Sequence, residues 1–258
     1  MSALAHPAAK QVVMNVNAEQ LGRNRILAAL PAKERDLIAP LLEIQELYLG
    51  DVIVQAGEAI KRLYFPIDSA ISIVNQQDNG RIVEVTVIGK EGCNGASVVQ
   101  GSEKSPSVAL VQVAGSAIAV TTSAVTRLSA SMPYLSTALA RYTLLLYRHS
   151  VISVGCSQFH STPQRVARWL KAHWHRTGLE TFPFTTAFFA AQVGINEKRV
   201  AEVLNELEGE QIVRLERISI SISNQELLAQ RSCECFQQAK DATDEYLLAL
   251  SEIARTYA

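Results

Sequence analysis

The spacing of the apolar residues divides the chain into segments of different secondary structure. Between residues 26 and 42 apolar side chains recur every three or four positions, which predicts helix with a break at Pro31. Between residues 43 and 122 they alternate with polar residues, which predicts short strands. Residues 1–24 show little periodicity and are interpreted as a flexible tail.

The alternating segment is also rich in glycine. In "RIVEVTVIG" the residues Val83, Val85 and Val87 fall on one face of an extended strand, and "SAISIV", "SVALVQVAG" and "SAIAVTT" behave similarly. Eight of the thirteen glycines of the chain separate these strands: Gly50, Gly57, Gly80, Gly89, Gly92, Gly95, Gly101 and Gly115. Short strands punctuated by glycine are typical of an antiparallel roll or barrel.

A long helix is predicted after Met132 and Pro133, where the helical spacing returns. Its apolar stripe comprises Leu135, Ala138, Leu139, Tyr142, Leu145, His149, Ile152 and Cys156. The apolar surface extends beyond one face through Leu144, Leu146, Tyr147 and Val151. Because such a helix needs two partners, we expect one face to pack on the roll and the other on a second copy of the chain.

The pattern after Pro163 predicts a winged helix. A first helix is expected to be capped by Thr162, and two short helices, capped by Thr185 and Asn196, flank Gly194, which can supply the positive φ of a sharp turn. The strand-like "IVRLERISISI" follows as a hairpin. The side chains predicted to be buried are Val166, Trp169, Leu170, Phe188, Phe189, Val193, Val200, Val203, Leu204 and Leu207.

Composition narrows the class of protein. The 258 residues, of which 48% are hydrophobic and 19% charged, suffice for one large or two ordinary globular domains. A net charge of −1 argues against a protein coated in positive potential, although it allows a local basic face. The sequence has no apolar run of membrane-spanning length and no signal-peptide pattern in its first 21 residues, so we expect a soluble, cytoplasmic protein.

The four cysteines, Cys93, Cys156, Cys233 and Cys235, form no CxxC pair, and a disulfide framework is not expected in a chain of this length without a secretion signal. Cys233 and Cys235 form a CxC that offers two soft metal ligands. Two ligands do not make a site, so no metal is predicted and both are interpreted as thiols of a C-terminal segment.

An enzymatic function is not expected. Barrels that house metal-dependent oxygenases or isomerases need histidines and a carboxylate inside the barrel, and no histidine lies between residues 43 and 122. In "HWH" the side chains of His173 and His175 point to nearly opposite sides of a helix, so they are interpreted as structural. The sequence contains no recognisable nucleophile motif and no phosphate-binding GxxxxGK[ST].

The order of these elements resembles the CRP/FNR superfamily of bacterial transcription regulators. The resemblance covers about residues 27–228 and is carried by "LAALPAKERDLIAPLLE", "GDVIVQAGEAIKRLYFPIDSAISIV", "VIGKEGCNGAS", "TPQRVARWL" and the helix–turn–helix. It implies an α+β fold in which an N-terminal antiparallel β-roll, similar to a cyclic-nucleotide-binding jelly roll, precedes a long dimerisation helix and a C-terminal winged helix–turn–helix. The implied boundaries are a tail at 1–24, a sensor roll at 25–131, the dimerisation helix at 132–160, a DNA-binding domain at 161–230 and a C-terminal extension at 231–258.

The chain departs from the cyclic-nucleotide-binding members at the loop "GKEGCNGASVVQGSEKSPSV". Those members carry a Gly-Glu pair for the ribose and an Arg-Ser or Arg-Thr pair for the phosphate, whereas this stretch has no arginine. We therefore expect a divergent branch with a different effector or none, and no cofactor. The chain also has no cysteine before Cys93 for an N-terminal iron–sulfur cluster. The candidate effector pocket consists of Gly89, Gly92, Asn94, Gly95, Ser97, Lys104 and Ser105.

The candidate recognition helix is unusually acidic. From residue 160 to residue 222 eight basic residues face seven acidic ones, a thin surplus for a DNA-binding module. Glu206, Glu208 and Glu210 are expected to point away from the groove. The base contacts are therefore expected at the start of the helix. The candidate base contacts are Asn196, Glu197, Lys198, Arg199 and Glu202, and the candidate phosphate contacts are Thr162, Arg165, Thr185 and Thr186.

Members of the best-known branch present an Arg, a Glu and an Arg at the positions of Glu197, Lys198 and Glu202. Because this chain reverses all three signs, that branch's operator is not expected here. The resemblance predicts a homodimeric regulator that binds a palindromic promoter site in double-stranded DNA, with RNA polymerase as a further candidate partner and no membrane association. The alternative is a protein–protein interaction regulator whose winged helix no longer binds DNA.

Overall fold

The structure is a computed structural model and describes residues 16–257. The first fifteen residues of the tail predicted at 1–24, including His6, lie outside the described residues. The helices are α1 Ala18–Arg23, α2 Arg25–Ala28, α3 Ala32–Ile38, α4 Thr122–Leu128, α5 Pro133–Phe159, α6 Thr162–Thr177, α7 Thr186–Val193, α8 Glu197–Gly209, α9 Gln225–Arg231 and α10 Cys235–Thr256. The strands are β1 Glu43–Leu47, β2 Val52–Val54, β3 Arg62–Pro66, β4 Ala70–Gln76, β5 Ile82–Ile88, β6 Val108–Val113, β7 Gly115–Thr121, β8 Thr181–Pro183, β9 Val213–Leu215 and β10 Ser219–Ile222.

The described chain divides into two compact units. The first comprises the chain up to residue 73 together with residues 86–148 and the segment from residue 242 onward, and the second comprises residues 74–85 and 149–241. A three-stranded sheet of order β1-β7-β3 is antiparallel throughout, and a second sheet has the order β2-β6-β4-β5. The predicted α+β fold, with N-terminal antiparallel sheets, a long helix and a C-terminal helix–turn–helix, is confirmed.

The start of α5 is buried in the core of the first unit. Tyr134, Leu135 and Tyr142 are buried there among strand side chains such as Phe65. The first backbone N–H groups of a helix have no partner within the helix. Here the buried carboxylate of Glu34 accepts two of them, from Tyr134 at 2.7 Å and from Leu135 at 3.0 Å. The long helix therefore begins at a position fixed by a charge-assisted contact from α3.

The core of the second unit contains most of the residues that the sequence predicts to be buried. Phe189, Val200 and Leu204 from α7 and α8 pack with Val166 and Leu170 from α6, and all five side chains are almost completely buried. Strands β8, β10 and β9 form an antiparallel sheet in that order. The predicted hairpin β9–β10 is present, and β8 adds a strand that the sequence pattern did not predict.

Three local predictions are wrong, and one helix was not predicted. Residues 18–23, expected in the tail, form α1, because Asn17 and Gln20 make a reciprocal capping box that stabilises so short a helix. Ser161, not Thr162, is the N-cap of α6, and its N–H and hydroxyl both donate to Gln164 Oε1. Phe188 is only half-buried, and the C-terminal extension contains the 22-residue helix α10.

Helix α10 is amphipathic, which explains why it forms. Its residues Tyr246, Leu250 and Ile253 recur at helical spacing and are buried in the core of the first unit. The hydroxyl of Tyr246 donates to the carbonyl of Ala138 at 3.2 Å. Within residues 16–257 no helix is long and apolar enough to cross a membrane.

Candidate functional site

Helices α7 and α8 form a helix–turn–helix at Gly194. This residue has a φ of +65°, and a Cβ added to it would lie 2.9 Å from Cγ2 of Val83, so both the backbone conformation and the close approach require glycine. Thr185 and Asn196 cap the two helices by accepting backbone N–H groups at 3.3 and 2.9 Å. Both caps were predicted from the sequence.

The start of α8 presents three of the predicted base-contact residues to solvent. Asn196, Glu197 and Lys198 are consecutive and exposed. Among the described residues the ammonium of Lys198 makes no ion pair, so its charge is available to a phosphate or a guanine edge. Asn196 already uses its side-chain oxygen as a cap, which leaves its amide NH₂ free to donate.

Arg199 lies on the same turn but is held by two carboxylates. Its guanidinium is 2.9 Å from Glu202 and 3.6 Å from Glu206, and the hydrogen bond with Glu202 raises the pKa of Arg199. The structure therefore brings Arg199 and Glu202 together as a pair. These ion pairs are exposed and weak, so binding of a phosphate can displace either carboxylate at low cost.

The predicted phosphate contacts lie at the starts of α6 and α7. Thr162 and Thr186 are the first residues of their helices and are half-buried, and Thr185 is the exposed cap of α7. Arg165 has a different environment, because its guanidinium donates to the carbonyl of Val193 at 2.6 Å and burial lowers its pKa. Arg165 thus ties α6 to the end of α7.

Two of the glutamates at the far end of α8 have structural roles. Glu208 accepts the backbone N–H of Leu215 at 2.7 Å, which joins the helix to the wing strand β9. Glu210 forms an ion pair with Arg231 of α9. Both carboxylates therefore have partners within the domain, at the end of α8 that is remote from its N-terminal turn. This explains how the helix tolerates them.

The aromatic core beneath α7 and α8 fixes α6. The ring of Phe189 meets Trp169 edge-on with 4.7 Å between centroids, and the Trp169 indole N–H donates to Glu84 at 3.1 Å. His173 is 3.9 Å from Phe182 between ring centroids, and burial, then the charge of Arg176, lowers its pKa to about 3. The first histidine of "HWH" is thus a neutral core residue, as the structural interpretation required.

The predicted effector residues are dispersed over the roll. Gly92 is packed against Tyr142, since an added Cβ would lie 1.9 Å from that ring, and the backbone of Asn94 pairs with Tyr64. Gly95 has a φ of +87° and precedes a short 3₁₀ helix that contains Ser97. The N–H of Gly89 donates to Glu91, Lys104 is exposed, and Ser105 is buried with its hydroxyl on the carbonyl of Ser107.

A cavity of about 410 Å³ does open on the roll, but only Asn94 of the predicted residues lines it. Its other walls come from β2, β3 and the loop between them, including Glu58, Arg62 and Tyr64. The Arg62 guanidinium is 2.6 Å from Glu43, so its charge is compensated within the protein. Apart from Asn94, the residues that line the cavity lie before the glycine-rich loop in the chain, so that loop does not indicate them.

Sequence reasoning also missed a cluster of three cysteines and one histidine. Cys156, His160, Cys233 and Cys235 each place one potential ligand atom within 4.8 Å of the others. Cys156 and His160 are separated by one helical turn, and Cys233 and Cys235 form the CxC. The combination C-x₃-H with C-x-C is the signal that could have revealed the cluster, but 72 residues lie between the two halves, at positions 161–232.

Comparison with protein families gives a match within the second unit. Residues 164–231, which contain most of α6 and all of α7 to α9, match the model described as a Crp-like helix-turn-helix domain. This segment is therefore similar to Crp-like helix–turn–helix domains. Comparison with curated protein sequences gives no match.

Several solved structures have the same fold as this chain. FixK2 from Bradyrhizobium japonicum shares 14% identity and a TM-score of 0.64 over 74% of this chain and 98% of its own. The c-di-GMP responsive global regulator CLP of Xanthomonas campestris shares 14% identity and a TM-score of 0.61 over 74% and 97%. TTHB099, a CRP-family transcriptional regulator from Thermus thermophilus, shares 14% identity and a TM-score of 0.60 over 72% and 95%.

These findings confirm the resemblance to the CRP/FNR superfamily. The chain has the same fold as solved structures that include a putative transcriptional regulator of the crp/fnr family and a CRP-family transcriptional regulator, and its residues 164–231 match the Crp-like helix–turn–helix model. Two of these similar structures are of proteins described as regulators.

Proposed function

We propose that this protein is a homodimeric transcription regulator that binds a palindromic promoter site in double-stranded DNA. The observation that carries the proposal is the exposed start of α8, where Asn196, Glu197 and Lys198 project from a helix–turn–helix of the Crp-like type. In such domains the N-terminal residues of the second helix contact base edges in the major groove. Arg199 and Glu202 complete the base-reading set, and Thr162, Thr185 and Thr186 contact phosphates at helix starts.

The same proposal assigns a role to each segment of the chain. Residues 25–131 form the sensor roll, residues 132–160 the dimerisation helix, residues 161–230 the DNA-binding domain and residues 231–258 a C-terminal extension. The effector is left open, and neither a cyclic nucleotide nor another cofactor is proposed. Arg165, tied to Val193, contributes to DNA binding by fixing α6 rather than by a direct phosphate contact. RNA polymerase as a further partner stays a prediction.

The dimer is supported by an uncovered apolar stripe on α5. Leu144, Tyr147, Val151 and Val154 are 60, 65, 53 and 68% exposed. Their spacing of three, four and three residues is that of the a and d positions of a coiled coil. Large apolar side chains rarely form such a row on a surface that faces only water. A second copy of α5 is the partner that this spacing fits.

Introducing charge into this stripe is expected to separate the dimer. In the Tyr147→Glu/Val151→Glu variant each interface would have to bury unpaired carboxylates, which cost several kcal/mol each, so the dimer dissociation constant rises at least about a hundredfold. Sedimentation velocity over a concentration series measures the change. The matched control is Ile218→Glu, which replaces an exposed apolar residue of the wing loop (69% exposed) and leaves the dimer intact. Unchanged dimerisation of the double variant would remove α5 from the interface.

Selection of bound duplexes from a random pool tests the DNA-binding proposal. The expected result is an enriched palindrome whose half-sites are separated by one helical turn of DNA, about 34 Å, because a two-fold symmetric dimer presents two copies of α8. An enriched site without two-fold symmetry would contradict the dimeric arrangement. Failure to enrich any sequence would contradict sequence-specific binding and favour the alternative of a regulator that acts through protein partners.

A further inference from the structure

The cluster of Cys156, His160, Cys233 and Cys235 has the geometry of a metal site. The two sulfur atoms of Cys156 and Cys233 are 3.6 Å apart, and the sulfur of Cys235 is 3.5 Å from Nδ1 of His160. All four ligand atoms lie within 4.8 Å of one another. The three cysteines are free thiols and are at most 5% exposed, so the ligands meet in a site that excludes most water.

The sulfur–sulfur distance and the sulfur–nitrogen distance match two edges of a tetrahedron around one ion. With zinc–sulfur bonds of about 2.3 Å and zinc–nitrogen bonds of about 2.0–2.1 Å, a tetrahedral site has sulfur–sulfur edges of roughly 3.8 Å and sulfur–nitrogen edges of roughly 3.5 Å. The observed 3.6 and 3.5 Å fall close to both values. A calcium or magnesium ion would require oxygen ligands instead.

We propose that Cys156, His160, Cys233 and Cys235 bind a single Zn²⁺ ion in a closed Cys₃His site. Three thiolates and one imidazole fill all four positions of tetrahedral zinc, which leaves none for a substrate and makes the site structural rather than catalytic. A disulfide between Cys156 and Cys233 would account for only two of the four converging residues. The ligands of a multinuclear iron–sulfur cluster bind different irons and therefore lie farther apart than these.

The surroundings of the four ligands support this assignment. Nε2 of His160 is 3.1 Å from Oε1 of Glu234, so the carboxylate can hold the imidazole with Nδ1 directed towards the sulfur atoms. Metal-bound histidines commonly make this second contact, which fixes the tautomer and ring orientation.

Bound zinc would fix the beginning of α10 against the end of α5 and against α6. Phe236, which follows the last ligand, lies under the ammonium of Lys171 at 4.3 Å and meets the ring of His175 edge-on at 5.4 Å. Lys171 and His175 belong to α6, the first helix of the matched domain. Because the ligands come from both ends of this domain, zinc binding contributes to the folding free energy of the second unit.

The metal content of the reduced full-length protein, purified without a metal-affinity tag, tests the proposal. We expect one zinc per chain by elemental analysis and loss of that zinc in Cys156→Ala and Cys235→Ala variants. The control Cys93→Ala removes a buried cysteine outside the cluster and should retain one zinc. Protein that contains no zinc and does not take up added Zn²⁺ under reducing conditions would overturn the proposal, as would full zinc retention by both cluster variants.

Two measurements keep the test informative where a cysteine variant fails to fold. Cobalt added to the metal-free wild-type protein should give the intense visible bands of tetrahedral Co²⁺ and a near-ultraviolet thiolate-to-cobalt band, and weak octahedral bands would contradict the site. Glu234→Gln keeps all four ligands and should weaken zinc affinity by about 10–100-fold in competition with a chelating dye. Unchanged affinity in that variant would contradict the assigned role of Glu234. These measurements do not depend on DNA binding.

Discussion

Replacing Lys198 and Arg199 by alanine is expected to abolish sequence-specific DNA binding while leaving the dimer folded. Each good contact to a base edge contributes about 1–3 kcal/mol of discrimination. A homodimer loses each contact twice, so even one substitution removes about 2–6 kcal/mol, and the dissociation constant rises at least about thirtyfold. Both side chains project from the surface of α8, and neither belongs to the buried core, so the fold does not depend on them.

The two single variants should behave differently. Lys198 makes no ion pair among the described residues, so Lys198→Ala removes one positive charge and nothing else. Arg199→Ala also leaves Glu202 and Glu206 without their partner, and their uncompensated charges then face the DNA. We expect Arg199→Ala to lose more affinity than Lys198→Ala, as measured by fluorescence anisotropy on the selected duplex.

A charge-matched control separates base reading from general electrostatics. Arg127→Ala removes an exposed positive charge outside the helix–turn–helix domain, and it should change the affinity for the selected duplex little. If the Lys198→Ala/Arg199→Ala protein binds the selected duplex as the wild type does, these residues are not part of the interface. Sedimentation and circular dichroism of the same preparations establish whether the dimer and its helices are intact.

Gly92→Ala is expected to destabilise the first unit by about 1–3 kcal/mol, the usual cost of overpacking a core. The new Cβ would lie 1.9 Å from the ring of Tyr142, which is 1% exposed and has no free space to move into. Gly22→Ala is the matched control, because Gly22 lies within helix α1 with nothing inside 4 Å of an added Cβ. Alanine should leave stability there unchanged or slightly improved.

The measurement for Gly92 has to report on the first unit. Trp169 and Trp174 both lie in the second unit, so tryptophan fluorescence would miss the change. Hydrogen exchange of peptides within residues 86–148 follows the affected region instead. A double-mutant cycle with Tyr142→Ala should show that the cost of Gly92→Ala falls when the ring is removed. Unchanged exchange in Gly92→Ala would contradict a packing role and return Gly92 to the candidates for effector binding.

Local signals along the chain predicted most of the helix–turn–helix. Gly194, the caps Thr185 and Asn196, and the buried stripe of α8 depend on neighbouring residues, so spacing alone identifies them. The cap of α6 was misplaced by one residue because Ser161 and Thr162 are both good caps. Only the partner Gln164, three residues after Ser161, distinguishes them.

Features that depend on distant residues could not be predicted in this way. The sequence around Arg165 predicts an exposed basic side chain on α6. Its contact with the Val193 carbonyl forms only when α6 and α7 pack together. The cavity of the roll is lined mainly by residues of β2, β3 and their connection, so a glycine-rich loop gives no indication of it. The cysteine–histidine cluster likewise joins segments that lie on either side of the whole matched domain.

Titration of the selected duplex and a scrambled duplex at low and moderate salt tests the central claim most directly. The selected duplex should bind more tightly than the scrambled one at both salt concentrations. The logarithm of the affinity should fall linearly with the logarithm of the salt concentration, because phosphate contacts release counterions. Absence of binding to either duplex at low salt, by a protein shown to be a folded dimer, would contradict the claim that this winged helix binds DNA.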